Sequence, residues 1–227
     1  MILDVAGLGV RLSGLDILHG VSFSVPPSGV TALVGRNGAG KTTTLRALMG
    51  LSPYSGSASF DGSVLSGRPD QRVLAGIGYV PEDRCVFAGL TVLENLRLAE
   101  RGRPDHDLVY GLFPELRDRG EQKAGSLSGG QQQMLSLARV LQNTNRLLLV
   151  DEPTKGLAPR VVTSVAAVLE RVAASVPILL VEQNLAVVRR LASSALVLSG
   201  GRVAWTGGAD DLLDDADLTK SLLGVGH

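Results

Sequence analysis

Residues 31–50 read TALVGRNGAGKTTTLRALMG, and the order of residue types within them decides the fold. TALVG is a short apolar run ending in glycine, the pattern of a buried strand. KTTTLRALMG sets Leu45, Leu48 and Met49 at helical spacing and offers Gly50 as a stop. Between them, GRNGAGKT (35–42) matches G-x-x-x-x-G-K-[S/T] in the required setting, after a strand and before a helix. Glycines in such a loop let backbone N–H groups turn inward around phosphate oxygens, and the helix N-terminus adds its positive end. Gly35, Arg36, Asn37, Gly38, Ala39, Gly40, Lys41, Thr42 and Thr43 are therefore candidate nucleotide-binding residues. Lys41 is expected to bridge the β- and γ-phosphates, and the Thr42 hydroxyl to ligate Mg2+. The plain alternative is a glycine turn that binds nothing; the Lys-Thr pair at the helix start argues against it.

RLLLVDEP (146–153) is a second buried strand with acids at its tip. Asp151 is placed to hold Mg2+ through water or through the Thr42 hydroxyl, and Glu152 to act as general base on the attacking water. By itself Asp151 would read as a cap for the following turn; the phosphate loop makes that the minor reading.

Outward from these two stretches the apolar period keeps switching. SGSASFDG (55–62) carries a β pattern, and GIGYV (76–80) is a strand that Pro81 ends. From Thr91, which stands in capping-box relation to Glu94, helical character runs to about Gln142, with breaks near Pro104 and Pro114. PRVVTSVAAVLERVAASV (159–176) is an amphipathic helix. ILLVEQN (178–184) is a strand ending in an acid and two amides, with Asn184 placed to cap a short helix. ALVLSGGRVAWTG (195–207) reads as a hairpin turning at Gly-Gly, and LLDDADLTKSLLG as a closing helix. Apolar strands alternating with helices predict an α/β core with a mainly parallel sheet, interrupted by a helical insertion.

Composition narrows the function classes. The 227 residues are 44% hydrophobic and 19% charged, enough apolar content for one sizeable core. Lys plus Arg (22) equals Asp plus Glu (22), so no net charge suggests a nucleic-acid surface. A single cysteine, Cys85, rules out an internal disulfide and fits a reducing compartment. MILDVAGLGV lacks a basic region followed by a long apolar run, so no signal peptide is expected. No apolar stretch approaches the ~20 residues that span a bilayer.

SLSGGQQQML (126–135) separates families that share the first two elements. Ser128, Gly129, Gly130 and Gln131 enter an apolar-periodic helix whose first N–H groups are free, a second anion site in the same chain. Alone it would be an ordinary Ser-capped helix. With the phosphate loop before it and the strand-Asp-Glu element after it, the chain resembles an ATP-binding cassette (ABC) ATPase, of which LSGGQ is the signature. The resemblance covers essentially the whole chain. It implies a P-loop NTPase (RecA-like) core with a parallel sheet, an N-terminal antiparallel β part and a helical insertion. One domain would span 1–227, its core about 1–85 and 143–227 and its insertion about 86–142. It also implies ATP and Mg2+ as cofactors and a sandwich in which Ser128, Gly129, Gly130 and Gln131 of one cassette face the γ-phosphate held by another. The second ATPase subunit would be a sister chain or an identical copy. Membrane-spanning permease subunits would dock on the insertion, a periplasmic or extracellular solute-binding protein would act indirectly, and the chain would be cytoplasmic, on the inner face of the membrane.

YVPEDRCVFAGLTVLENLRLA (79–99), LFPEL (112–116), DEPTKGLAP (151–159) and LLVEQNLAV (179–187) look like the ATPases of branched-chain amino-acid importers, with urea and short-chain amide importers closely similar. Four positions depart from the wider family. Glu82 stands where Gln usually reaches Mg2+ and senses the membrane partner. Ala158 stands where Asp usually contacts the opposite cassette. Gln183 stands at the usual His switch. The first three differences recur in the branched-chain subgroup. The fourth is Leu12, where an aromatic residue usually stacks on adenine; either adenine is held there mainly by apolar contact with relaxed base selectivity, or the loop is shifted and the base rests on a different side chain. Gln183 would serve catalysis by orienting groups at the γ-phosphate, since an amide is neutral and shuttles no proton. The proton transfer would fall to Glu152, with Thr42, Asp151 and Glu82 as the metal set.

His19, His106 and His227 lack ligand spacing, Cys85 beside Arg84 reads as an inert thiol, Trp205 as structural, and DDLLDDAD as a solvated helix face. Two rivals stand against a transporter subunit. A regulatory cassette of a soluble complex would show no partner-dependent membrane association. A metabolic kinase would leave LSGGQ unexplained.

Overall fold

A computed structural model gives the structure of the protein and describes residues 1–224. The first third comprises β1 (Leu3–Leu12), β2 (Leu15–Val25), β3 (Val30–Val34), α1 (Lys41–Leu48), β4 (Ser55–Phe60), β5 (Ser63–Val64), α2 (Pro69–Leu74) and β6 (Ile77–Val80). A helical stretch follows, with α3 (Val92–Leu98), α4 (His106–Leu112), α5 (Pro114–Asp118), a 3-10 turn (Ala124–Ser126) and α6 (Gly129–Leu141). The last third holds β7 (Leu147–Asp151), α7 (Pro159–Ala173), β8 (Ile178–Val181), α8 (Leu185–Leu191), β9 (Ser194–Ser199), β10 (Arg202–Gly208), α9 (Ala209–Asp214) and α10 (Ala216–Leu223).

Two sheets result. β2-β1-β4-β5 is antiparallel and forms the N-terminal β part. The other sheet runs β10-β9-β3-β8-β7-β6, parallel except at the β9–β10 hairpin. Strands β3, β7 and β8 are buried along their whole length, as unbroken Val/Leu/Ile runs require when helices cover both faces. Their register sets Leu33 beside Val181 and Val181 beside Asp151. The segments that leave β3, β7 and β8 therefore emerge together at the carboxyl edge of the sheet, where open α/β sheets place their ligands.

Local chemistry explains the element ends. Helix α1 stops in a Schellman pattern, with Leu51 N–H donating to Arg46 O (2.8 Å) and Gly50 N–H to Ala47 O (2.9 Å). Thr91 and Glu94 form the expected capping box on α3, and Asn184 caps α8 by accepting from Ala186 and Val187 N–H.

Four differences from the sequence pattern have physical causes. The helical stretch breaks also between Arg119 and Ser128, where Lys123 pairs with Thr91 as a β-bridge and Gly125 packs on Ala88. The closing helix divides at Asp215, whose carboxylate caps α10 through Leu218 N–H. The amphipathic helix from Pro159 ends at Ala173, short of Pro177. Helix α2, too short to show a period, starts where Gln71 Oε1 accepts the Arg68 N–H (3.0 Å).

Side-chain amides fasten the helical stretch. Asn95, fully buried, accepts from Phe87 N–H (2.9 Å) and donates to Phe87 O (3.0 Å) and Thr91 O (2.9 Å). Gln142 donates to Leu96 O (2.8 Å), and Asn143 to Ala99 O (2.9 Å), tying the end of α6 to α3. Replacing Asn95 by Leu strands buried backbone groups, so Asn95→Leu should lower unfolding free energy by about 2–3 kcal/mol in urea denaturation. A loss under about 0.5 kcal/mol would show the loop to be held by other contacts.

Candidate nucleotide site

Gly35 and Gly40 shape the phosphate loop. Both have positive φ (153° and 102°). A Cβ on Gly35 would collide with Leu198 O, and one on Gly40 would lie 2.5 Å from Leu18 Cδ2, so the loop is wedged between β9 and the N-terminal sheet. Lys41, buried at the head of α1, reaches back over the loop. Its Nζ donates to Gly35 O (2.9 Å) and Arg36 O (3.2 Å) and lies 3.7 Å from Glu152 Oε1. The Arg36 guanidinium lies beside Gly224, at the end of α10.

Asp151, fully buried at the tip of β7, accepts the Thr42 hydroxyl at Oδ1 (3.1 Å). Its Oδ2 is buried and has no hydrogen-bond partner among the described residues. Burial, reinforced by the charges of Glu152 and Glu82, outweighs the Thr42 hydrogen bond and pushes its pKa up to about 6. An orphaned carboxylate oxygen beside a threonine hydroxyl suits a hard, oxygen-seeking cation. Among the described residues no group of three His, Cys, Asp or Glu side chains is set to hold a metal, so phosphate oxygens or water would complete the coordination.

Glu152, 6% exposed, has φ of 43°, the left-handed region that a non-glycine residue enters at a cost. Its side chain is held on both sides. Gln183 Nε2 donates to Oε1, and Lys155 Nζ lies 3.1 Å from Oε2. Burial would raise its pKa, but the hydrogen bonds from Gln183 and Lys155 and the charges of Lys155 and Lys41 prevail and lower it, keeping it ionised at neutral pH.

Around this site the match to known sequences is direct: a family model described as ABC transporter covers residues 18–155. The chain belongs to the ABC transporter family. With membership come nucleotide binding and a transport-coupled ATPase activity. It is 40% identical to the high-affinity branched-chain amino acid transport ATP-binding protein BraG of Pseudomonas aeruginosa, over 92% of this chain and 94% of the relative. It is 36% identical to the probable branched-chain amino acid transport ATP-binding protein LivF of Archaeoglobus fulgidus, over 93% and 94%. The structure of an ATP-binding subunit of an ABC transporter superposes with a TM-score of 0.84 at 28% identity, covering 96% of this chain and 94% of that one. A nucleotide-free ATP-binding cassette gives the same TM-score at 22% identity, over 100% and 99%, and speaks for the fold.

The ABC signature residues lie elsewhere. Ser128 caps α6 in a box with Gln131, and Gln131 also donates to Glu115 (3.0 Å). Gly129 lies against Arg84, and Gly130 against Val161, where a Cβ would come within 2.9 Å. The glycine loop of residues 35–42 has Leu18, Leu198, Asp151 and Glu152 for neighbours, a set separate from the Arg84, Glu115 and Val161 that surround Ser128–Gln131. Ala158, exposed, begins α7 without a side-chain cap. Leu12 ends β1 at a hairpin tip, 37% exposed and paired with Leu15.

Two residues escaped the sequence pattern. Lys155 reaches both Glu152 and Glu82, the latter at 2.6 Å. Thr154 donates its hydroxyl to buried Glu182, which also accepts Gln183 N–H (3.0 Å), so Glu182 locks the strand tip and aims Gln183 at Glu152. Only the i,i+3 spacing of Lys155 to Glu152 hinted at the first. Cys85, exposed, donates its thiol to Asp83 (2.7 Å), and partial desolvation, that bond and the Asp83 charge push its pKa up to about 11, which favours the thiol over the thiolate at neutral pH. His106 lies 3.4 Å from Glu100, and His227 falls outside the described residues. Trp205 packs on the cluster of Val188, Val197 and Leu212, and Asp210, Asp211, Asp214, Asp215 and Asp217 are exposed.

The Asp151 carboxyl, whose pKa is raised from 3.8 to about 6, binds its proton more tightly when folded, so it costs stability above pH 6 and nothing below pH 3.8. Asp151→Asn should therefore stabilise the nucleotide-free protein at pH 8 by about 1–3 kcal/mol, with the difference fading towards pH 4. A pH-independent difference in chemical denaturation would refute the buried-charge account.

Proposed function

We propose that this cassette hydrolyses Mg2+-ATP to power the uptake of branched-chain or other small amino acids. Identity of 40% to BraG along almost the full length of both chains carries the choice of solute class. The Glu152–Gln183 pair supports the chemistry. An ionised, buried carboxylate is the group to accept a proton from water, and a neutral amide fixes its orientation.

The roles follow from the donor sets. Backbone N–H groups from Gly35 to Thr43 cradle the phosphates, and Lys41 exchanges its two carbonyl partners for phosphate oxygens. Thr42 and Asp151, with Glu82 nearby, would hold Mg2+, which would supply positive charge against the phosphates. Glu152 takes the proton of the attacking water. The N-terminus of α6, with Ser128, Gly129, Gly130 and Gln131, meets the γ-phosphate of a second cassette, identical or sister. Such pairing brings together the two anion sites that one chain holds apart. Residues about 86–142 form the insertion on which membrane-spanning permease subunits dock, and the core comprises about 1–85 and 143–227. No described helix is long and apolar enough to cross a membrane, so attachment to the cytoplasmic face would come through those permeases, with a solute-binding protein outside.

Glu152→Gln should bind ATP within about twofold of the parent while turnover falls at least about 100-fold; near-normal hydrolysis would remove Glu152 from the proposed role. Ser128→Arg should leave folding and single-chain ATP binding intact yet abolish the hydrolysis that permeases stimulate. Full stimulated activity would contradict the two-cassette site. Reconstitution with candidate permeases and binding proteins tests the solute. Stimulation by branched-chain amino acids is expected, and stimulation by urea or amides alone would overturn the assignment.

A further inference from the structure

Glu82 and Glu152 come from different elements, the loop after β6 and the tip of β7, yet a single ammonium serves both. Lys155 Nζ stands 2.6 Å from Glu82 Oε1 and 3.1 Å from Glu152 Oε2. The pair is asymmetric: Glu152 is 6% exposed at its side chain, Glu82 39% and Lys155 54%. Glu152 Oε1 is fixed from the protein side by Gln183 and faces Lys41. Its Oε2 has the Lys155 ammonium, on a long side chain shared with a surface loop. Without Lys155 two carboxylates would face each other next to buried Asp151, a like-charge cluster pointing at the place where phosphates bind.

We propose that Lys155 is a positioning residue that couples the Glu82 loop to Glu152, its ammonium holding the two carboxylates as one unit. Displacement of Glu82 then moves the shared ammonium and changes the donor on Glu152 Oε2. Loop position is thereby transmitted to the carboxylate without any movement of β7. This rests on the proposed role of Glu152, but it is tested by binding alone.

ATP affinity is measured in EDTA for the parent, Lys155→Met, Lys155→Arg, Glu82→Gln and the double variant Glu82→Gln/Lys155→Met. Lys155→Met should weaken binding about tenfold, because it leaves Glu82 and Glu152 uncompensated near the phosphates. Lys155→Arg keeps the cation and should stay within about threefold of the parent. In the Glu82→Gln background, the same Lys155→Met change should cost no more than about threefold. Equal losses in the two backgrounds would overturn the coupling, as would a loss in Lys155→Arg as large as that in Lys155→Met. The two readings fail separately. If Glu152 is not the base, Glu152→Gln keeps turnover while the coupling persists. If the coupling is wrong, the binding losses add while Glu152→Gln still stops turnover.

Discussion

A fully buried carboxylate with one unpartnered oxygen is the constraint on which the site depends. Asp151 sits at the end of a strand buried on both faces, its Oδ1 satisfied by Thr42 and its Oδ2 by none of the described residues. A buried carboxylate oxygen without a partner is costly, and a bound cation would offset that cost. Three acids, Asp151, Glu152 and Glu82, gather around two ammonium groups, Lys41 and Lys155. The chain's own charges at this site are thus unequal, beside the N-terminus of α1, and the proposed cation with polyphosphate would meet both.

The scaffold keeps this cluster from relaxing. Buried strands β3, β7 and β8 fix the spacing of the tips, and Gly35 and Gly40 sit where any larger side chain would collide with β9 or Leu18. Glu152 is held in left-handed backbone by bonds to its side chain from Gln183 and Lys155. The Thr154–Glu182 bond closes the frame from the other strand. Buried polar groups so interlocked are costly to disturb singly, which suits a site that must stay preorganised.

Much of this was legible in the residues. GRNGAGKT between strand and helix, DE at a buried strand tip and S-x-x-Q at a helix start are local patterns, and each folds as its own chemistry demands. The β9–β10 hairpin and the Asn184 cap were readable for the same reason. What stayed hidden was non-local. Lys155 lies three residues from Glu152, yet its reach to Glu82 depends on β6 pairing with β7. The partner of Glu182 was hidden as well, because only the fold brings Thr154 against that buried acid. The break after Arg119 was likewise invisible, since it answers a bridge between Thr91 and Lys123 across the helical stretch.

In the proposed site a cation and nucleotide acting together complete the Asp151–Thr42 pair. Thermal unfolding with a non-hydrolysable ATP analogue, in Mg2+ and in EDTA, tests it most directly. The account predicts a midpoint several degrees higher with Mg2+ and analogue than with the analogue in EDTA, and little effect of Mg2+ alone. Equal stabilisation by the analogue with and without Mg2+ would contradict it.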